Sequence, residues 1–224
     1  MCGRFVQAHD GTEYAEHFGA ALSVDESLAP SWNVAPTDQV YAVAAHDDRR
    51  MLGTFRWGLV PWFAKDRKIG ARHINARSET IHSKPAFKDS LVNRRCIIPA
   101  DGFFEWEVME AGGKLPHFIF REDGSPLALA GLWASWRDEE GERLTSCTVI
   151  TTAPNELVAP IHDRMPAVLT EDQWDKWLDP GFGDIEVLRK MLTPLDKGTL
   201  AEYPVSTLVN SVKNNFAECI TPLK

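Results

Sequence analysis

Apolar and polar positions alternate most clearly in the middle of the chain. Gln39–Ala45 and Gly53–Trp57 read as short strands separated by a polar turn at His46–Arg50. Arg95–Ala100 is another short apolar run bounded by polar residues. Phe103–Met109 and Leu115–Phe120, joined by Glu110-Ala111-Gly112-Gly113-Lys114, predict a β-hairpin, and Leu127–Trp133 and Thr145–Thr151 continue the strand series. Helical signals are fewer. Thr170 with Gln173 three residues on is a hydroxyl cap that predicts a helix through Trp174, Trp177 and Leu178. Ile185–Leu192, stopped before Pro194, predicts a second helix, and Asn155–Ile161 a short third.

Strands outnumber helices and cluster instead of alternating with them, which argues for an α+β fold and against a doubly wound parallel sheet. The expectation is a single β-rich domain over residues 1–224, mainly antiparallel strands in a barrel-like core with peripheral helices. No repeat, low-complexity tract or Gly/Ser linker divides the 224 residues. Hydrophobic residues at 44% and charged residues at 25% exclude intrinsic disorder. No run of 18 apolar residues suggests a membrane-spanning helix, and Met1-Cys2-Gly3-Arg4-Phe5 has no apolar core of a secretory signal. Four scattered cysteines do not make a disulfide framework, so a reducing, cytoplasmic setting is expected.

Charge changes this picture. The net charge of −8 speaks against a nucleic-acid partner only if it is spread evenly, and it is not. Arg49–Arg95 holds 12 Lys and Arg against three acids, Asp66, Glu79 and Asp89, whereas the remainder holds 12 against 29. A cationic block in an acidic protein suits phosphate binding by one face; the plainer alternative is that the fold scatters it. Trp57 and Trp62 lie in this block beside Lys65, Arg67 and Lys68, a pairing that suits single-stranded nucleic acid, though core packing competes for the indoles.

The chain lacks Gly-x-Gly-x-x-Gly, Walker and Gly-x-Ser-x-Gly loops, and its cysteines lack zinc spacing, so no cofactor or metal is expected. Cys96 and Cys147 read as small core residues. Cys2 is different: with Met1 removed it carries an α-amine and a thiol on adjacent carbons. Such a 1,2-aminothiol traps an aldehyde as a Schiff base and closes on it as a thiazolidine, an intramolecular step favoured by effective concentration. In Ile74–Thr80, Asn75 or Ser78 is suited to cap a short helix. Glu105 lies between aromatics in Pro99–Trp106, where desolvation would raise its pKa toward a general acid's range; a half-exposed hairpin glutamate is the alternative. His162 in Ile161–Pro166 is a candidate acid/base near neutral pH.

Together these segments resemble the SOS response-associated peptidase (SRAP) family, abasic-site sensors that crosslink themselves to DNA. The resemblance rests on an ordered set running nearly end to end: Met1–Phe5, Asn33–Thr37, Trp57–Pro61, Ile74–Glu79, Pro99–Trp106, Ile161–Pro166 and Val205–Asn210. It implies that Met1 is lost and that Cys2 forms a thiazolidine with the ring-opened sugar of an abasic site in single-stranded DNA. It further implies that Asn75 orients the Cys2 amine or the sugar. Glu105 would act as acid/base, and His162 would assist ring opening. Arg4, Arg77 and Arg164 would meet phosphates, Trp57 and Pro36 would line the DNA groove, and Ser78 and Trp106 would join the DNA-contacting set. The partner is abasic single-stranded DNA, with no membrane, and the chain is expected to be a monomer that is nucleoid-associated when bound. A thiol (auto)peptidase using Cys2, and a non-covalent single-strand-binding module, are the alternatives.

Overall fold

The computed structural model describes residues 2–23, 27–47 and 49–223. The chain opens with β1 (Phe5–Gln7), α1 (Gly11–His17), β2 (Ala21–Leu22), β3 (Ser31–Val34), β4 (Gln39–His46) and β5 (Arg49–Trp57). After a short 3₁₀ helix at Arg67–Arg72 come β6 (Asn75–Arg77), α2 (Lys88–Asn93), β7 (Arg95–Ala100), β8 (Gly102–Val108) and β9 (Lys114–Arg121). The chain continues with β10 (Leu127–Arg137), β11 (Arg143–Thr152), β12 (Met165–Pro166), α3 (Glu171–Leu178), α4 (Ile185–Lys190) and β13 (Leu200–Pro204).

One sheet runs β12-β11-β10-β7-β4-β5-β2, and a parallel pairing of β11 with β5 at Ser146↔Arg56 and Cys147↔Trp57 closes five of these strands into a barrel. The continuous apolar runs of β4, β7 and β10 follow from burial on both faces. Val40, Ala42, Phe55, Trp57, Cys96, Ile98, Leu129, Cys147 and Val149 share the interior cluster. The alternate residues Tyr41, Val43, Leu52, Ile97, Ala130 and Ile150 pack beneath the helices. Alanine and cysteine at several inward positions suit so narrow a barrel. A second sheet, β13-β9-β8-β1-β3, lies across one end and sends Phe5, Phe103, Ile119 and Leu200 into the same interior cluster. The buried Gln7 side chain ties the sheets, donating to the carbonyls of Tyr41 and Pro99 and accepting from Tyr41 N–H.

The α+β expectation of a β-rich domain with a barrel core and outer helices agrees with this architecture. The predicted hairpin and the three strands flanking it, from Arg95 to Thr151, sit within a few residues of β7–β11. The predicted polar turn at His46–Arg50 is shorter than expected, because β4 runs to His46 and β5 starts at Arg49. At α3 the Gln173 side chain accepts from Thr170 N–H at 3.1 Å, as the cap pattern predicts. Asn155–Ile161 is not an α-helix but a series of turns. Pro160 supplies no N–H there, and the Asn155 side chain already accepts from Val158 N–H.

Arg95, buried, fixes the helices to the barrel without a carboxylate. Its guanidinium donates to the carbonyls of Leu91 and Val92 near the end of α2, and to Trp177, Asp179 and Phe182 at and beyond the end of α3. A cation at two helix C-termini is favoured by both dipoles. Arg95→Met leaves these carbonyls without their donor and should lower the unfolding free energy by about 3 kcal/mol, read from urea denaturation.

Candidate functional site

Cys2 is fully buried in the barrel cluster, because β1 directly after it is inserted between β8 and β3. Its carbonyl accepts from Asn75 Nδ2 at 2.7 Å. Asn75 is placed by β6, which pairs in parallel with β11 at Val149, Ile150 and Thr151. The approach to β6 is held by Trp57 Nε1, which donates to Ile74 O at 2.9 Å. Asn75 is therefore a strand residue facing the amino-terminal segment and not a helix cap, and its Oδ1 has no hydrogen-bond partner among the described residues. Ser78 uses its backbone N–H to meet Thr151 O at 2.9 Å, just past β6.

Glu105 stands on β8 opposite His117 of β9, on the face that carries Phe103 and Ile119 toward the barrel. At 2% exposure it is not the half-exposed hairpin glutamate of the alternative reading. Burial pushes its carboxyl up to about 7, opposed by the positive amino terminus and reinforced by Asp163. His162 Nε2 lies 3.8 Å from Glu105 Oε2. His162 Nδ1 lies 2.9 Å from the Arg164 backbone nitrogen and 3.0 Å from Asp163 Oδ1, which together fix the ring with Nε2 toward Glu105. Burial holds the imidazole below its ordinary pKa. Burial also pushes the Cys2 thiol far up, so the resting sulfur is protonated. Cys2, Asn75, Glu105 and His162, far apart in sequence, thus belong to one end of the barrel. Met1, whose loss the resemblance implies, lies outside the described residues.

The remaining candidates divide. Arg4 Nη1 donates to Asn33 Oδ1 at 3.0 Å and Val209 O at 2.9 Å, so its guanidinium is engaged in the fold. Asn33 Nδ2 meets the carbonyls of Val209, Ser211 and Asn214, and half-buried Trp106 donates through Nε1 to Asn210 Oδ1 at 2.7 Å. The Asn33–Thr37 and Val205–Asn210 segments thereby latch the carboxy-terminal stretch beside the site, a task their sequences did not reveal. Trp57 is fully buried, edge-on to Phe5 at 4.8 Å, and lines no surface groove. An indole spanning a barrel interior and satisfying a backbone carbonyl is a core residue. Pro36 is half-buried and precedes Thr37, whose φ of 81° is a strained setting for a β-branched residue. Arg77 is exposed.

The cationic block is partly scattered by the fold. Arg95 is buried, Arg50 pairs with Asp175, and Arg94 pairs with Asp89. Lys65, Lys68 and Arg72 remain together with Phe63 around a cleft of about 580 Å³, and Trp62 beside it is 67% exposed. Gly58 and Gly70 position this loop: a Cβ on Gly58, at φ 120°, would lie 2.6 Å from Gly70 O. Among the described residues, no group of three or more His, Cys, Asp or Glu could hold a metal ion. No helix there is long and apolar enough to cross a membrane.

Comparison with known proteins places the chain in a family. The model of the SOS response associated peptidase (SRAP) family matches residues 1–212. The chain belongs to this family. It is 43% identical over 221 residues to the abasic site processing protein YoqW of Bacillus subtilis, covering 98% of this chain and 99% of that one. It is 32% identical to YedK of Escherichia coli, also named an abasic site processing protein, over the full length of both. The Gallus gallus protein HMCES, of the same descriptive name, is 37% identical, with 80% of this chain matched to 60% of that one. A solved structure of a Bacteroides thetaiotaomicron protein superposes with a TM-score of 0.89 at 25% identity, covering all of both chains.

Because the Glu105 pKa is raised in the folded state, the native protein holds a proton that the unfolded chain releases from about 4.5 upward. Its contribution to stability is complete below that pH and is lost as pH rises to about 7. Glu105→Gln should flatten this part of the pH–stability curve. The wild type, relative to that variant, should lose a few kcal/mol, about 1.4 per pH unit at the steepest, in denaturant melts between these limits.

Proposed function

We propose that this protein acts on abasic sites in single-stranded DNA and crosslinks itself to them through Cys2. The observation that carries the reading is the buried Cys2, which loss of Met1 would turn into an amino-terminal aminothiol, seated beside a buried glutamate whose carboxyl burial pushes up to about 7. Its relatives' names, which concern abasic-site processing, point to the same substrate.

Chemistry follows from the groups present. With Met1 removed, the Cys2 amine attacks the aldehyde carbon of the ring-opened sugar, forming a C–N bond and a carbinolamine. Glu105, half-protonated near pH 7, gives its proton to the carbinolamine hydroxyl, which leaves as water as the Schiff base forms. The thiol then adds to the carbon of this protonated Schiff base, whose nitrogen keeps its hydrogen; the thiol proton passes to the Glu105 carboxylate, restoring the acid, and the product is a thiazolidine. Proton transfer through a carboxylate answers the difficulty of a thiol that burial keeps protonated. Asn75 holds the Cys2 carbonyl so that nitrogen and sulfur present in one orientation, and His162 Nε2 faces Glu105 and the opening sugar. Arg77 and Arg164 meet backbone phosphates, and the Lys65–Arg72 cleft adds positive charge for the strand.

A thiol peptidase working on other chains is a weaker reading, because a peptide backbone reaching a fully buried sulfur would carry its polar groups unpaired into the barrel. The deciding experiment incubates mature protein with an oligonucleotide bearing one abasic site and resolves products under denaturing conditions. A covalent adduct is expected, absent with Cys2→Ala and formed at least tenfold more slowly with Glu105→Gln. No adduct, or one that survives Cys2→Ala, overturns the proposal.

A further inference from the structure

Arg164 already holds an anion. Its Nη1 donates to Glu79 Oε1 at 2.5 Å, and its Nη2 to Glu79 Oε2 at 3.0 Å and to Thr151 O at 2.6 Å. This is the two-pronged geometry in which a guanidinium receives a carboxylate or a phosphate. The two partners differ in depth, the Arg164 side chain being 13% exposed and that of Glu79 51%. The cation is recessed and the carboxylate stands outside it, on the approach from solvent. Arg77, two residues before Glu79 and exposed, adds a second positive charge that favours the ionised carboxylate. The cluster adjoins the site directly: Arg77 ends the strand that Asn75 begins, and the Arg164 amide fixes the His162 ring.

We propose that Glu79 is a resident counter-anion at Arg164, and that a backbone phosphate of the bound strand takes its place. This rests on the reading above that Arg164 meets phosphate. The exchange makes Glu79 a specificity-determining residue. One anion leaves the guanidinium as another arrives, so the contact adds little net attraction for an arbitrary strand. A strand held at the same time by condensation with Cys2 completes the exchange, whereas an undamaged strand lacks that anchor. Glu79 thereby weakens binding to intact DNA more than capture of the lesion.

Equilibrium binding of an undamaged fluorescent single-stranded oligonucleotide, measured across a range of salt, tests this. Glu79→Gln should tighten binding several-fold. It should also steepen the slope of log K against log salt by about 0.7, since the phosphate contact now releases a counterion instead of a side chain. In the Glu79→Gln, Arg164→Gln double variant the gain should vanish. Unchanged or weaker binding with Glu79→Gln, or a gain that persists without Arg164, overturns the inference. Adduct formation by the wild type on an abasic oligonucleotide is scored separately. An adduct without a Glu79 effect rejects this inference alone, whereas no adduct rejects the reading beneath it.

Discussion

The hydrogen bond from Asn75 to the Cys2 carbonyl is the contact on which the site's geometry depends. A chain terminus ordinarily frays, because too few contacts offset the entropy of ordering it. Here the second residue is fully buried, since β1 pairs on both edges within three residues of it and Asn75 secures the carbonyl beside the thiol. Asn75 can do this because β6 is fixed on the barrel wall by β11 and by the Trp57 indole. The position of Cys2 is thus set by the closed barrel.

Burial that orders Cys2 also sets the protonation of its neighbours. The same desolvation keeps the sulfur protonated, raises the Glu105 carboxyl to about 7 and holds His162 neutral. Removing water from one end of a small barrel therefore produces a nucleophile and a proton carrier with mismatched affinities. In the proposed condensation that mismatch is useful, because Glu105 both gives and takes a proton within the accessible range. Around this desolvated centre the charged groups are outermost: Arg77, Arg164 and Glu79 at the rim, and Lys65, Lys68 and Arg72 around the neighbouring cleft. A phosphate backbone kept at the rim pays no desolvation for entering the barrel, while the sugar aldehyde, uncharged, can approach its interior.

Much of the fold was legible in local pattern. The barrel strands β7 and β10 are nearly continuous apolar runs, and β8, β9 and β11 carry shorter apolar stretches, so their existence followed from local pattern, and the Thr170–Gln173 cap marked α3. The short strands β1, β3 and β6 gave no such signal, since three or four residues cannot establish a period and their order comes from partners distant in sequence. The same limit explains Trp57 and Arg4. An indole beside cations and an arginine beside the candidate nucleophile look like ligand contacts in sequence. Only the folded chain shows the indole turned into the barrel and the guanidinium spent on Asn33 and Val209.

The amino-acid sequence by itself determined the fold class, the cysteine at position 2, and the residue types able to handle protons, because these are properties of composition, periodicity and ordered motifs. Tertiary structure decided which of those residues meet. It buried Glu105 and Cys2 together, assigned Arg95 to helix ends and Arg50 to Asp175, and paired Arg164 with Glu79. Protonation and pairing depend on distance and dielectric, and neither exists until strands remote in sequence have closed into a barrel.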